Sequence, residues 1–283
     1  MTTRLRGHLI RTLLTVGAMT ALVLGAAPST SAAAPTQPAP TITAVDFTGI
    51  VALSNCSGSV VRTPNSQPGD PALVMSNGHC VRLLAAGEVL QNQASTRTFT
   101  LLNANGTSLG TLRANRLLYA TMTNTDVSIY RLTITYAQLQ QQFGSRALDL
   151  STVHPTAGTA ITVVSGFHRA TYPCAIDGFA FRLREDRWTW QDSVRYTAAC
   201  HTIPGTSGSP VLDNDTGQVV AINNTLNENA QRCTLDNPCE VDQAGNVTIR
   251  PNIGYAQETF YIAACITTAS RIDLTRPGCQ LPG

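Results

Sequence analysis

Eight cysteines constrain this chain more than any other feature of it. They stand at positions 56, 80, 174, 200, 233, 239, 265 and 279, with none in the first 55 residues. An even count at such spacings reads as a disulfide framework, which persists only in an oxidising compartment. Spacing alone leaves the pairing open, because eight cysteines allow about a hundred connectivities. There is no CxxC pair and no Cys/His cluster at zinc spacing, so no structural metal is predicted. No cysteine directly follows an apolar start, so no lipid anchor is predicted.

The amino terminus agrees with export. Arg4, Arg6 and Arg11 precede the apolar run Leu13–Ala27, and Ser31-Ala32-Ala33 offers a small-x-small cleavage site. The run is short for a membrane span, so residues 1–33 are predicted to be a signal peptide removed after Ala33. Pro35 disfavours cutting one step later. All 19 basic residues are arginine, and the formal net charge is +2. Without the three arginines of the signal, 16 arginines face 17 acidic residues, and the net charge becomes −1. That balance excludes a strongly basic nucleic-acid surface, and a 43% hydrophobic share excludes a disordered chain. A soluble, extracellular, monomeric protein with no nucleic-acid partner, and no membrane contact after signal removal, is the expectation.

Beyond the signal the chain reads as strands. Only 13% of residues are charged while threonine numbers 38, and Thr and Val suit pleated strands. A Pro/Ala/Thr linker covers 34–44. A first all-β half over 45–135 contains short apolar or alternating runs at Asp46–Leu53, Ser57–Arg62, Ala72–Ser76, Thr98–Asn103, Thr111–Ala120 and Val127–Leu132. A connecting segment over 136–155 lacks β-branched residues from Tyr136 to Leu150 and predicts a helix there. A second all-β half spans 156–255, with runs at Ala160–Phe167, Phe179–Leu183, Trp188–Thr197, Ser209–Leu212 and Gln218–Thr225. Residues 256–283 are read as a short C-terminal helix over Ala256–Ser270, from Phe260, Ala263, Ala264 and Ile266, followed by a tail. No internal repeat is evident. Asp213-Asn214-Asp215-Thr216-Gly217 is read as a hairpin turn in preference to a calcium loop.

The chemistry concentrates in Pro204-Gly205-Thr206-Ser207-Gly208-Ser209-Pro210-Val211. Glycines on either side of a serine let the backbone turn tightly and aim amide N–H groups at a carbonyl oxygen under attack. A serine hydroxyl needs a base, and five histidines are available. His8 leaves with the signal. His79 follows an apolar strand and adjoins Cys80, whereas His154, His168 and His201 lack such support. Asp126 opens the apolar run that follows it and can orient an imidazole. The segment fails the nucleophile-elbow pattern of α/β-hydrolases, since Ser209 stands where that pattern needs its second glycine.

The order His, Asp, Ser in the segments NGHC, TDVSIYRL and GTSGSPV resembles the trypsin-like (chymotrypsin-fold) serine endopeptidases. Within them it is most similar to the bacterial secreted branch that includes glutamyl endopeptidases. The resemblance covers roughly residues 45–255. It implies an all-β fold of two six-stranded antiparallel β-barrels with the active site between them. It also implies hydrolysis of protein or peptide substrates through an acyl-enzyme, without metal or cofactor. Ser207 would be the nucleophile, His79 the base and Asp126 its orienting acid, with the N–H groups of Gly205 and Ser207 as the oxyanion hole. It further implies a Cys56–Cys80 bridge at the histidine loop and Cys174–Cys200 ahead of the nucleophile, with Cys233–Cys239 and Cys265–Cys279 following by proximity. The substrate-pocket candidates are His201, Thr202, Ile222 and Asn223. His201 stands where arginine- and lysine-directed relatives carry an acid, so glutamate, small and apolar preferences stay open. Thr206 replaces the aspartate that many relatives use to receive a new N-terminal amine, so no such activation switch is expected. The same triad residues would serve an esterase-like acyl hydrolase, and a catalytically inactive binding module on this fold is the alternative from another class.

Overall fold

The computed structural model describes residues 45–283. The signal and the linker expected before them lie outside the described residues. The first half contributes β1 (Ile50–Ala52), β2 (Ser57–Arg62), β3 (Pro71–Ser76), β4 (Val89–Ala94), β5 (Thr98–Leu102), β6 (Ser108–Thr121) and β7 (Val127–Thr135). Six of these form a closed barrel in the order β1-β5-β6-β7-β3-β2, with β2 returning to β1. Every pairing in it is antiparallel. Closure removes the edges of these six strands, and β4 pairs outside the barrel with β6. Alternation along the strands sends Val60 and Val74 into one apolar cluster and Val61, Leu73 and Met75 into another, all fully buried or nearly so. Burial of such side chains is worth roughly 1.5–3 kcal/mol each.

The connection is shorter in helix than its sequence predicts. α1 spans Tyr136–Phe143, not Tyr136–Leu150. A capping box of Thr135 and Gln138 starts it, and Gly144 at φ +61° ends it in the left-handed conformation that glycine adopts without strain. The chain then pairs β8 (Leu148–Asp149) in parallel with β2.

The second half supplies β9 (Ala160–Ser165), β10 (Ala170–Glu185), β11 (Trp188–Tyr196), β12 (Pro210–Asp213), β13 (Val219–Leu226), β14 (Cys239–Val241), β15 (Val247–Ile249) and β16 (Gly254–Glu258). A second closed barrel runs β11-β16-β13-β12-β9-β10 and returns to β11, as the resemblance implied. The β14–β15 hairpin extends this sheet by pairing with the end of β10. The expected C-terminal helix forms but is shorter than Ala256–Ser270 and begins later. Residues 254–258 are the strand that closes the barrel, with Ile222 opposite Gln257 and Asn223 opposite Ala256. Pairing on both sides outweighs the helical spacing of their apolar neighbours, and the barrel runs past residue 255. Only α2 (Phe260–Cys265) is helical, and β17 (Ile266–Thr267) and β18 (Arg271–Ile272) follow as a hairpin.

Tyr261, Ile262 and Ile266 pack with residues of both halves, including Tyr119, Ile129, Leu212 and Ile222. Four disulfides join Cys56 to Cys80, Cys174 to Cys200, Cys233 to Cys239 and Cys265 to Cys279. Asp213 and its neighbours form the tight turn between β12 and β13, where Asp213 Oδ1 accepts from the N–H groups of Asp215 and Thr216.

Candidate active site

β3 delivers His79 through Asn77 and Gly78, and the Cys56–Cys80 bridge fastens the next residue to the start of β2. Asp126 sits immediately before β7, which pairs with β3 so that Ser76 faces Ser128. Two cross-links hold this junction: Asn77 Nδ2 donates to the Asp126 carbonyl at 2.9 Å, and Ser128 Oγ donates to the Asn77 carbonyl at 2.7 Å. Asp126 is fully buried. One of its carboxylate oxygens accepts the His79 backbone N–H at 3.0 Å and the other lies 2.7 Å from His79 Nδ1. A carboxylate so placed keeps the imidazole proton on Nδ1 and leaves Nε2 as an acceptor. Burial lowers the proton affinity of His79, but the charge of Asp126 and its hydrogen bond outweigh burial and hold the imidazole pKa above its ordinary value.

Ser207 lies in the turn between β11 and β12. Gly208, at φ +80°, follows it where a Cβ would lie 2.2 Å from the Ser57 carbonyl oxygen, so no other residue fits. Gly205, at φ +90°, leaves no room for a Cβ beside His168, whose Nε2 donates to the Pro204 carbonyl at 2.8 Å. The N–H groups of Thr206, Gly208 and Ser209 are bonded to Ile203, Asn223 and Thr206 carbonyls respectively. Those of Gly205 and Ser207 have no hydrogen-bond partner among the described residues. Two unpaired donors flanking one peptide are what an incoming oxyanion requires. Thr206 is buried; its hydroxyl donates to the Ile203 carbonyl at 2.6 Å and accepts from Asn223 Nδ2 at 3.1 Å. The Ser207 hydroxyl itself donates to the Asn224 carbonyl at 3.2 Å.

His79, Asp126, Gly205 and Ser207 line one cavity of about 170 Å³. Of the four pocket candidates only Asn223 lines it as well. Ile222 turns its side chain into the apolar cluster around Leu212 and Val219, Thr202 is buried against Gly254, and His201 is exposed on the surface. The walls that the sequence did not reveal are Trp188, Trp190, Glu185 and the segment carrying Glu228, Leu235 and Asp236. Glu185 accepts from Thr225 Oγ1 at 2.6 Å and from the Asp236 N–H at 3.1 Å, and burial pushes its carboxyl pKa up to about 7. In the sequence Glu185 and Asp186 fall between the runs Phe179–Leu183 and Trp188–Thr197, with no local signal of a role. Its inward role exists only because residues 227–253 fold back across it.

A family model described as a trypsin-like peptidase domain matches residues 56–222, more than half of the chain. The chain belongs to the trypsin-like peptidase family. Similar solved structures include the MamO protease domain from Magnetospirillum magneticum, with 12% identity over 78% of this chain and 97% of that one, at a TM-score of 0.48. A Glu endopeptidase structure is 14% identical over 77% and 88% of the two chains, with a TM-score of 0.46. Nocardiopsis protease is 13% identical over 76% and 93%, with a TM-score of 0.43. A search of the curated proteins finds no match.

Proposed function

We propose that this trypsin-like peptidase is a secreted, monomeric serine endopeptidase in which Ser207 attacks the scissile carbonyl, His79 accepts the hydroxyl proton and Asp126 orients and stabilises the imidazolium. The observation that carries this reading is the paired contact of fully buried Asp126 with the His79 N–H and Nδ1, in the same cleft as Ser207. The N–H groups of Gly205 and Ser207 receive the developing oxyanion, and the acyl-enzyme is then hydrolysed by water with His79 again as base. In the reaction the Ser207 hydroxyl leaves the Asn224 carbonyl for His79, since catalytic hydrogen bonds tighten only once substrate is bound.

Thr206 occupies the place of the activation aspartate with its hydroxyl already bonded within the loop and to Asn223 of β13, so removal of the leader suffices for activity. Four disulfides, together with the apolar start and small-residue cleavage site of residues 1–33, support an extracellular location. Among the described residues no helix is long and apolar enough to cross a membrane. A serine-directed phosphonate probe tests the assignment. Labelling maps to Ser207, disappears in Ser207→Ala and is greatly reduced in His79→Ala. Absence of labelling in the folded protein favours a binding module on the same fold.

A further inference from the structure

A second cluster of chemically active side chains lies outside the cleft. His154, in the connection between the barrels, places Nδ1 2.5 Å from the Pro155 carbonyl oxygen. A carbonyl only accepts, so Nδ1 carries a proton, and it is the neutral form of the ring that would present the Nε2 lone pair to a cation. That nitrogen faces two carboxylates, with Asp192 Oδ2 at 3.1 Å and Glu258 Oε1 at 3.0 Å. Glu258 is 1% exposed, and neither of its oxygens has a hydrogen-bond partner among the described residues. The close approach of His154 to Glu258 is thus a contact without hydrogen-bond geometry. The imidazole is flanked by Phe179 and Phe260, with centroids 4.6 and 5.2 Å away, which set its orientation. Asp192 adopts φ +50° within β11, a left-handed conformation that aspartate tolerates better than most residues.

Three donor atoms converge here, one of them on a buried carboxyl whose oxygens have no hydrogen-bond partner among the described residues, and a cation among them would offset the cost of that burial. Ligand atoms about 2.0–2.2 Å from a zinc-class ion, at angles of about 90–110°, lie roughly 3.0–3.4 Å apart. The separations from His154 Nε2 are 3.0 and 3.1 Å, and all three donor atoms lie within 4.8 Å of one another. Donation of the second imidazole N–H to a backbone carbonyl is the usual outer contact of a metal-bound histidine. One nitrogen and two oxygen donors suit a borderline ion such as Zn²⁺ better than calcium or magnesium, which favour all-oxygen sets. We propose that His154, Asp192 and Glu258 bind one divalent ion of the zinc class. The ion clips the connecting segment to β11 and to the end of β16, with its remaining coordination positions open to water. The cysteine spacing could not announce such a site, because its ligands are isolated residues brought together only by barrel closure.

Zinc titration of the EDTA-treated, metal-free protein by calorimetry tests the site. The wild type, Asp192→Asn and His154→Gln are compared; the Asp192 and His154 side chains are 50% and 40% exposed, which permits folding of both variants. Folding is checked by circular dichroism and by phosphonate labelling of Ser207. Because His79 could itself attract zinc, each protein is also titrated after the probe has blocked the cleft. The expected result is one zinc per blocked wild-type chain and at least tenfold weaker binding in each variant. Cobalt(II) added to the blocked wild type gives a visible absorption band that the variants lose. Failure of the blocked wild type to bind zinc, or equal affinity in the variants, overturns the proposal and leaves the cluster as a proton-sharing ion pair.

Discussion

Replacing Glu185 by glutamine isolates the cost of one buried carboxylate beside the cleft. Burial raises its pKa from 4.5 to about 7, and the side chain is only 5% exposed, so little solvent screening applies. Because the folded-state value lies above the unfolded one, the folded chain keeps this proton between pH 4.5 and about 7 while the unfolded chain has released it. Stability therefore falls as pH rises through that window, and below it this group carries no penalty. Two to three pKa units correspond to roughly 3 kcal/mol above pH 7, of which about 2–3 kcal/mol accrues between pH 5 and pH 8. Glutamine keeps both contacts, its carbonyl accepting from the Asp236 N–H and its amide donating to Thr225 Oγ1, so the variant removes charge with little else. Denaturant unfolding with disulfides intact, at pH 5 and pH 8, is the assay. The wild type loses about 2–3 kcal/mol more than Glu185→Gln over that interval. An identical pH dependence in the two proteins refutes the reasoning.

Asp126→Asn is expected to lower turnover of a peptide substrate by on the order of 10⁴, since an amide no longer enforces the Nδ1–H tautomer; steady-state kinetics measure it. Because only neutral His79 can accept a proton and its pKa is raised, the acid limb of kcat/KM has its midpoint above pH 6.5, and a midpoint below 6.5 contradicts the Asp126 contacts. Gly208→Ala drives a methyl into the Ser57 carbonyl oxygen and forces alanine into positive φ, so a loss of several kcal/mol is expected in the melting of the secreted protein. Removing the Cys56–Cys80 bridge by double alanine substitution opens a loop of sequence separation 24 and costs about 3.5 kcal/mol in the loop-entropy treatment, read as a lower denaturant midpoint.

Much of this molecule was legible because its signals are local. Val60-Val61 and Ala72–Met75 carry strand-forming residues whose neighbours mark the turns. The glycines around Ser207 declare a backbone that other residues cannot follow. Closure of the second barrel was not legible, since Gly254–Glu258 becomes a strand only when β11 and β13 offer it partners on both sides. The cleft walls failed for the same reason. Glu185 and Asp236 are 51 residues apart and meet through one hydrogen bond that no local pattern encodes. Ile222 and Asn223 adjoin in sequence, yet strand alternation sends one into the apolar core and the other to the cleft.

The chain contains two tryptophans, and both lie at the junction between its halves. Trp188 Nε1 donates to the Leu84 carbonyl at 2.9 Å and Trp190 Nε1 donates to the Met122 carbonyl at 3.1 Å, so indoles from the second barrel cap backbone of the first. Every photon of tryptophan emission from this protein therefore originates at that seam. Separation of the halves exposes both indoles to water and shifts the emission to longer wavelength, even where each barrel keeps its strands. The protein thus carries a built-in optical gauge of whether its cleft is assembled, with no label required.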